Sequence, residues 1–304
     1  MKNYFKEICF LFPIRRSKEQ KSAFFDYVAG EFEPNRVKKD ILEKEHENIV
    51  IGDIESAKVI FTAHYDTPAT SIVPNLMMPA NKIINYVYHL SYPLVLAFLS
   101  LAVAFGIGYL LSLELYYTVA LYLVIYFVTF FAATRMVTNK NNVNDNTSGV
   151  ATVLTLAKQI NKKEVAFVLF DNEEKGLLGS KAMNKKYKDL LKDKLVINFD
   201  CVANGNEIIF IAKAGAEKSE KYALLKSCLT AENGFNLNYL PFKGSASNSD
   251  YKNFECGVGV MACTKGKFIK FYTGKIHTNK DTVGSEENVN YLVEQMLKFV
   301  NALN

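Results

Sequence analysis

The sequence predicts an α/β fold with a mostly parallel, mixed central sheet, helices on both faces, and an inserted apolar helical hairpin. Short runs rich in Val, Ile and Phe alternate with amphipathic segments, which is the order typical of a sheet covered by helices on both sides. One long segment between these elements carries almost no charge. The chain has 304 residues, 49% hydrophobic and 22% charged, as in ordinary globular proteins.

The elements are predicted in order along the chain. Strands are expected at 57–66, 164–171, 194–200, 207–213 and 257–264. Helices are expected at 17–32, 36–46, 146–160, from about 177, 217–233 and 286–303. Without the charge-free segment about 250 residues remain, a usual size for one domain. We therefore expect a single discontinuous domain formed by 1–82 and 136–304.

The remaining segment, 83–135, is predicted to be a transmembrane helical hairpin. Residues 83–113 and 115–134 contain no Asp, Glu, Lys or Arg, and only Glu114 separates them. About 20 helical residues span roughly 30 Å, the thickness of the hydrocarbon core of a bilayer. The expected partner of this segment is the lipid bilayer. The alternatives are a buried helical hairpin or an apolar lid used for homo-oligomerisation.

The charges beside the hairpin predict its orientation. Lys82, Arg135 and Lys140 flank its two ends, whereas the turn carries only Glu114. By the positive-inside rule, we expect the polar part of the chain on the cytoplasmic side of a bacterial-type plasma membrane. Five cysteines without CxxC spacing fit reduced thiols in that compartment. The net charge of +5 is dispersed without an aromatic platform, so nucleic-acid binding is not expected.

Acidic and histidine side chains follow the predicted strands at their carboxyl ends, where such sheets bind ligands. His64 and Asp66 end the first strand, Glu173 and Glu174 follow the second, and Asp200 ends the third. Each also has an ordinary interpretation, because isolated histidines are usually hydrogen-bonded residues and paired glutamates usually lie in solvated loops. Asp200 is different, since an unpaired charge ending an apolar strand is costly and needs a partner.

Two more candidates lie outside these strands. Asp145 precedes the helix at 146–160 and alone would be an ordinary N-cap, and His277 lies near the end of the chain. Together, two histidines and four carboxylates form the inventory of a two-metal hydrolytic site. Oxygen and imidazole ligands suit zinc, with manganese or cobalt as substitutes. His46 is expected on an exposed helix end and His89 at the membrane interface.

The motifs HYD, NDNTSG, FDNEEKGLLGS, NFD, SDYKNF and IHTNKDT occur in an order that resembles the co-catalytic zinc aminopeptidase family. Its relatives include glutamate carboxypeptidases and glutaminyl cyclases. The resemblance covers roughly 50–66 and 140–304, and it implies a three-layer sandwich with two zinc ions. It assigns the metal ligands as follows: His64 and Asp200 to the first ion, Asp145 to both, and Glu174 and His277 to the second.

The resemblance also implies catalytic roles. Glu173 would be the general base and acid, Asp66 would orient His64, and the peptide bond after Asp145 would be cis. The implied activity is removal of N-terminal residues from peptide substrates. Ile276 stands where relatives often carry an aromatic residue, so no oxyanion donor is assigned.

Two other functions stay open at this point. A glutaminyl-cyclase-like transferase is disfavoured because the chain has no tryptophan, which such enzymes typically use to line their pocket. A non-catalytic membrane scaffold derived from the peptidase fold is disfavoured because every expected ligand position is intact.

Overall fold

Strand β3, Val59–His64, lies in the middle of the main sheet, and all six of its residues are buried. The computed structural model describes residues 2–42, 46–73, 75–134 and 137–303. β3 pairs in parallel with β7, Val165–Phe170, on one side and with β8, Leu195–Phe199, on the other. β11, Gly257–Lys265, continues the parallel order beside β8. Strands buried on both faces read as continuous apolar runs, which is why the sequence predicts them well.

Antiparallel strands extend this centre at both edges. β2, Glu47–Ile51, pairs with β7, and β1, Val37–Ile41, forms the edge beyond it. On the other side β9, Glu207–Ala212, runs antiparallel to β11 and parallel to β10, Asn236–Pro241. The end of β11 also pairs with β12, Phe271–Ile276, and β12 with β5, Asn75–Met77. The sheet is therefore mixed, as predicted.

Helices cover both faces of the sheet. Buried side chains of five helices share one hydrophobic core with one face: α1 (Tyr4–Leu11), α2 (Lys18–Gly30), α5 (Gly149–Gln159), α9 (Glu220–Cys228) and α10 (Glu286–Ala302). The short helix α8 (Ala214–Glu217) joins that core through Ala216. On the other face Met183 of α6 (Leu178–Lys186) and Leu191 of α7 (Lys188–Leu191) enter a second core. The predicted layered α/β class is confirmed.

The helix predicted at 36–46 is wrong. Residues 37–41 form the edge strand β1, and 43–45 lie outside the described residues. Val37 and Ile41 stand four apart, which imitates helical spacing, but pairing with β2 decides the conformation. Lysines on an exposed edge strand are common, because their charge discourages pairing with another chain. His46 is also misplaced by the sequence: it is buried, and Asn172 Nδ2 donates to its Nδ1 at 3.0 Å.

The apolar segment forms two long helices, α3 (Lys82–Leu110) and α4 (Leu115–Thr134), joined by a tight turn. Both are long and apolar enough to cross a membrane. Only 17% and 6% of the residues in their most apolar windows are buried, unlike the core helices of soluble proteins. Gly108 packs directly against Thr118, so the helices approach closely. At the base, β4 (Ala69–Thr70) pairs with β6 (Val137–Thr138), while Arg135 lies outside the described residues.

Candidate active site

The predicted site residues meet at the carboxyl ends of the parallel strands. His64 is the last residue of β3, and Asp200 follows β8 directly. Glu173 and Glu174 begin a short turn after β7, because Asn172 adopts a left-handed conformation and redirects the chain. The edge of the sheet thus collects residues that are far apart in sequence, as parallel strands require.

Two further segments complete the cluster. Asp145 lies in an irregular turn, Val143–Ser148, that precedes α5, and its peptide bond to Asn146 is cis. His277 follows β12 with a positive φ of 56°. All seven predicted residues therefore lie together, even though 79 sequence positions separate Asp66 from Asp145.

Asp145 lies between the two histidines. Its Oδ1 is 3.3 Å from Nε2 of His64, and its Oδ2 is 3.0 Å from Nε2 of His277. Asp200 Oδ1 lies 3.8 Å from the His64 nitrogen, and Glu174 Oε1 lies 3.5 Å from the His277 nitrogen. Three groups of potential ligands result. His64–Asp145–Asp200 and Asp145–Glu174–His277 share only Asp145, and the third group is His64–Glu173–Glu174.

These spacings fit zinc. Atoms bound tetrahedrally at 2.0–2.1 Å from zinc lie about 3.3 Å from one another, close to the separations within the two groups that share Asp145. Oε1 of Glu174 is buried, and none of the described residues offers it a hydrogen bond. A cation between Glu174 and His277 would satisfy this oxygen. The potential ligands are imidazoles and carboxylates without thiolate, and this donor set also fits zinc.

The crowded carboxylates perturb one another. Burial, together with the charges of Glu174 and Asp250, raises the pKa of Glu173 well above its ordinary value, although His64 opposes this shift. Burial and the charge of Asp145 raise the pKa of Glu174 to about 8, against the opposing effect of His277. Bound cations would relieve this repulsion, because they favour the ionised carboxylates.

The two histidines respond in the opposite way. Burial lowers the pKa of His64, but Glu173 and Asp145 outweigh burial and raise it well above its ordinary value. For His277 the surrounding Glu174 and Asp145 likewise overcome burial and raise the pKa to about 10. Without cations, the site therefore holds protons on its imidazoles, and metal binding must displace them.

Asp66 contacts the turn with the two glutamates as well as His64. Its two carboxylate oxygens accept hydrogen bonds from the backbone N–H groups of Glu173 and Glu174, at 3.0 and 3.2 Å. Nδ1 of His64 lies 3.1 Å from the backbone oxygen of Asp66 and 3.6 Å from its carboxylate. Asp66 thus fixes the turn that carries both glutamates as well as the imidazole. In this geometry it is a positioning residue.

Side chains outside the predicted set hold the turn that carries Asp145. Asp281 accepts the N–H groups of Asn144 and Asp145, both at 3.0 Å. Asn146 donates to the carbonyl of Phe199, one residue before Asp200. These interactions link the shared carboxylate to β8. Asp281 is visible in the motif IHTNKDT, but only the fold shows that it reaches this backbone.

Sequence reasoning also missed Arg15, which is completely buried. Its guanidinium donates to the carbonyls of Tyr65 and Phe12 and to side chains of Asn142 and Thr147. Burial lowers its pKa to about 10, so it carries its charge at neutral pH. The basic pair at 15–16 gives no sign of this role.

The cluster opens into a cavity of about 620 Å³. The six predicted residues that would bind metal or transfer protons line it. Residues of the apolar hairpin also line it, among them Tyr92 and Phe130. The cavity is large enough for part of a peptide.

The model of peptidase family M28 matches residues 133–299, more than half of the chain. The chain belongs to peptidase family M28. The prediction of a peptide-bond-hydrolysing metallopeptidase is thereby confirmed. No curated protein sequence matches the chain significantly.

The chain is similar to solved structures at low sequence identity. The LapA aminopeptidase of Legionella pneumophila is 12% identical, with a TM-score of 0.55 over 98% of this chain and 67% of that protein. BSAP, a zinc aminopeptidase from Bacillus subtilis, is 17% identical, with a TM-score of 0.49 over 84% of this chain and 49% of that protein. The LapA likeness supports the fold, and the M28 assignment comes from the family match.

Proposed function

We propose that this M28 peptidase is a membrane-tethered, zinc-dependent aminopeptidase that uses two metal ions. The main supporting observation is the pair of ligand groups that share Asp145, one oxygen facing each histidine. His64 and Asp200 would hold one ion, Glu174 and His277 the other. Manganese or cobalt could replace zinc at such oxygen and nitrogen ligands.

The proposed mechanism places the proton transfers on Glu173. Two zinc ions, when bound, polarise the scissile carbonyl and make water a better nucleophile at neutral pH. Glu173 accepts a proton from the attacking water and returns it to the leaving amine. The hydrogen bonds from the backbone N–H groups of Glu173 and Glu174 to Asp66 hold the turn that carries the base. The α-ammonium of the substrate is attracted by the carboxylates, which favours cleavage at the N-terminus.

The direct test is hydrolysis of leucyl-p-nitroanilide by the full-length, detergent-solubilised protein. We expect two zinc ions per chain, activity that a chelator abolishes, and recovery when zinc is restored. Cyclisation of an N-terminal glutaminyl peptide, measured in parallel, distinguishes the transferase alternative. Two bound zinc ions without hydrolysis of any peptide would contradict the proposal.

The membrane location is also proposed, because α3 and α4 qualify by length, composition and exposure. In the proposed orientation Glu114 faces the outside, and the catalytic domain faces the cytoplasm. Such an arrangement would bring the site close to membrane-proximal peptides, including fragments released by other membrane proteases. Homo-oligomerisation through the hairpin stays a prediction.

Cysteine labelling of intact bacterial cells tests the orientation. We expect an impermeant thiol reagent to label Glu114→Cys from outside, because Glu114 is exposed in the turn between the two helices. The partly exposed native Cys228, on α9 of the catalytic domain, should react only after permeabilisation and serves as the internal control. The opposite labelling pattern, or recovery of the protein in the soluble fraction, would contradict the proposed topology.

A further inference from the structure

One face of α3 lines the active-site cavity. The residues concerned recur with the spacing i, i+3, i+4, i+7 and i+8, which places them on one side of a helix. They are Asn85, Tyr88, His89, Tyr92 and Pro93, and Phe130 of α4 joins them. We name these six residues the hairpin wall. The cavity therefore lies between the catalytic cluster and the inserted hairpin.

The hairpin wall differs chemically from the rest of the first turns of α3. Ile84, Val87 and Leu94 point outward and are 46%, 61% and 56% exposed. The wall instead carries an amide, an imidazole and two phenols. Polar groups in membrane helices generally face protein or a water-filled cavity, because lipid cannot hydrogen-bond with them. The amide, the imidazole and two of the three phenols in this part of α3 thus line the active-site cavity, while the phenol of Tyr86 is exposed.

The lengths of the two helices place the wall relative to the membrane. α3 has 29 residues and α4 has 20, corresponding to about 44 Å and 30 Å. Both meet at the same turn, so α3 extends about nine residues further than the roughly 30 Å hydrocarbon core requires. Those extra residues, 82–90, are its first ones and include half of the wall, Asn85, Tyr88 and His89. In the proposed topology the wall therefore extends from the level of the lipid headgroups, at Asn85, Tyr88 and His89, to the edge of the hydrocarbon core, at Tyr92, Pro93 and Phe130.

The wall is held firmly against the catalytic cluster. Asn85 is buried, and its side chain accepts the N–H of Met78, which follows β5. β5 pairs with β12, whose last residue precedes His277. Ser71, before β5, donates its backbone N–H to the carbonyl of His277 at 2.6 Å. A shift of α3 would therefore disturb a predicted metal ligand.

We propose that the hairpin wall binds the substrate, and that the enzyme prefers peptides with apolar N-terminal residues taken from the membrane interface. This proposal rests on the proposed aminopeptidase activity. The α-ammonium would lie at the carboxylates, and the apolar side chain would lie against Tyr92 and Phe130. Removing that side chain from water favours binding, and aromatic rings supply much of the contact area. Burial of an apolar side chain at the membrane interface is favourable, and the wall begins at that interface.

Matched substitutions test the wall through activity. Tyr92→Ala and Phe130→Ala remove rings that line the cavity, whereas Tyr86→Ala and Phe131→Ala remove outward rings that are 55% and 50% exposed. We expect the first pair to lower kcat/KM for leucyl-p-nitroanilide about 10-fold or more. For alanyl-p-nitroanilide the change should be smaller, because alanine places little surface against the wall. The outward variants should stay within about twofold of the parent protein for both substrates.

A binding measurement tests the wall independently of turnover. The chain contains no tryptophan, so a single introduced tryptophan reports only its own surroundings. We expect L-leucine to shift the emission of Tyr92→Trp in the full-length protein, and to leave that of Tyr86→Trp unchanged. L-lysine should produce a weaker shift at position 92, because its charged side chain resists the apolar part of the cavity.

The outcomes separate the two proposals. Equal effects of the cavity-lining and outward variants, or no response of Tyr92→Trp to leucine, would overturn the hairpin wall as a binding surface. If the parent protein hydrolyses no aminoacyl anilide, the proposed aminopeptidase activity fails. A leucine-dependent shift confined to position 92 would even then support binding at the wall.

Discussion

Glu173→Gln should leave the zinc content unchanged and lower kcat by about 10²–10⁴-fold. Glutamine keeps the size of the side chain but cannot accept and return a proton. In the proposed ligand sets, the metals are held by other residues, so their binding should survive. Zinc stoichiometry measured together with hydrolysis of leucyl-p-nitroanilide checks both halves of this prediction.

Glu174→Gln provides the matched control. The two glutamates are adjacent, and the backbone N–H groups of both donate to Asp66. Only Glu174 belongs to the ligand group with His277. We expect Glu174→Gln to lose activity together with zinc at one site. Substantial activity in Glu173→Gln, or loss of zinc from it, would show that the proposed roles are wrongly assigned.

The pKa values of both glutamates are raised, so their geometry separates the two proposed roles. Burial and neighbouring charges raise the pKa of Glu173 well above its ordinary value and that of Glu174 to about 8 in the site without cations. Bound cations lower such a raised pKa, and a carboxyl group whose pKa lies near neutrality is a good proton acceptor and donor. Partial exposure of Glu173 to the cavity gives it access to substrate.

The sequence predicts the central fold well, and it names residues that the fold brings together, because both depend on local patterns. Strands buried on two faces, such as β3 and β7, are continuous apolar runs. A charged residue directly after such a strand is costly unless it has a partner, so it indicates a site. The ordered motifs then give the family. Edge strand β1 is less predictable, because its conformation depends on pairing with β2 and its lysines also suit a helix.

The hairpin wall shows a second limit. The helical spacing of the wall residues is present in the sequence, but the mean hydropathy of α3 averages over all its faces and hides the polar one. Tyr88 and Tyr92 look like interfacial tyrosines, and His89 looks like a residue at the membrane surface. Both descriptions are compatible with a cavity that reaches the level of the membrane interface. Only the folded arrangement brings that face next to His277.

Arg15 illustrates a third limit, and its replacement should be strongly destabilising. The guanidinium contacts the chain on both sides of the hairpin: the carbonyl of Tyr65, between His64 and Asp66, and the hydroxyl of Thr147, two residues after Asp145. It therefore connects two ligand-bearing segments that the hairpin separates in sequence. Its positive charge lies near the carboxylates of Asp66 and Asp145 and offsets part of their repulsion.

We expect Arg15→Met to lower the free energy of unfolding by about 3–5 kcal/mol and zinc affinity by about 10–100-fold. Methionine fills much of the space but leaves buried carbonyls without donors. Arg15→Lys should recover only part of the loss, because a single ammonium cannot reach the partners that the planar guanidinium spans. Denaturant unfolding and zinc titration of the purified protein measure the two effects.

Arg16→Met is the control that isolates this geometry. Arg16 is the next residue and carries the same charge, but its side chain is partly exposed and its backbone N–H is accepted by Gln20. Its replacement should change stability by less than about 1 kcal/mol. Equal effects at positions 15 and 16 would mean that net charge matters, and that the buried contacts of Arg15 do not. A loss confined to position 15 would show that the active site depends on a residue far from every catalytic motif. The hairpin separates the two ligand-bearing segments of the site in sequence, and Arg15 in the N-terminal segment connects them.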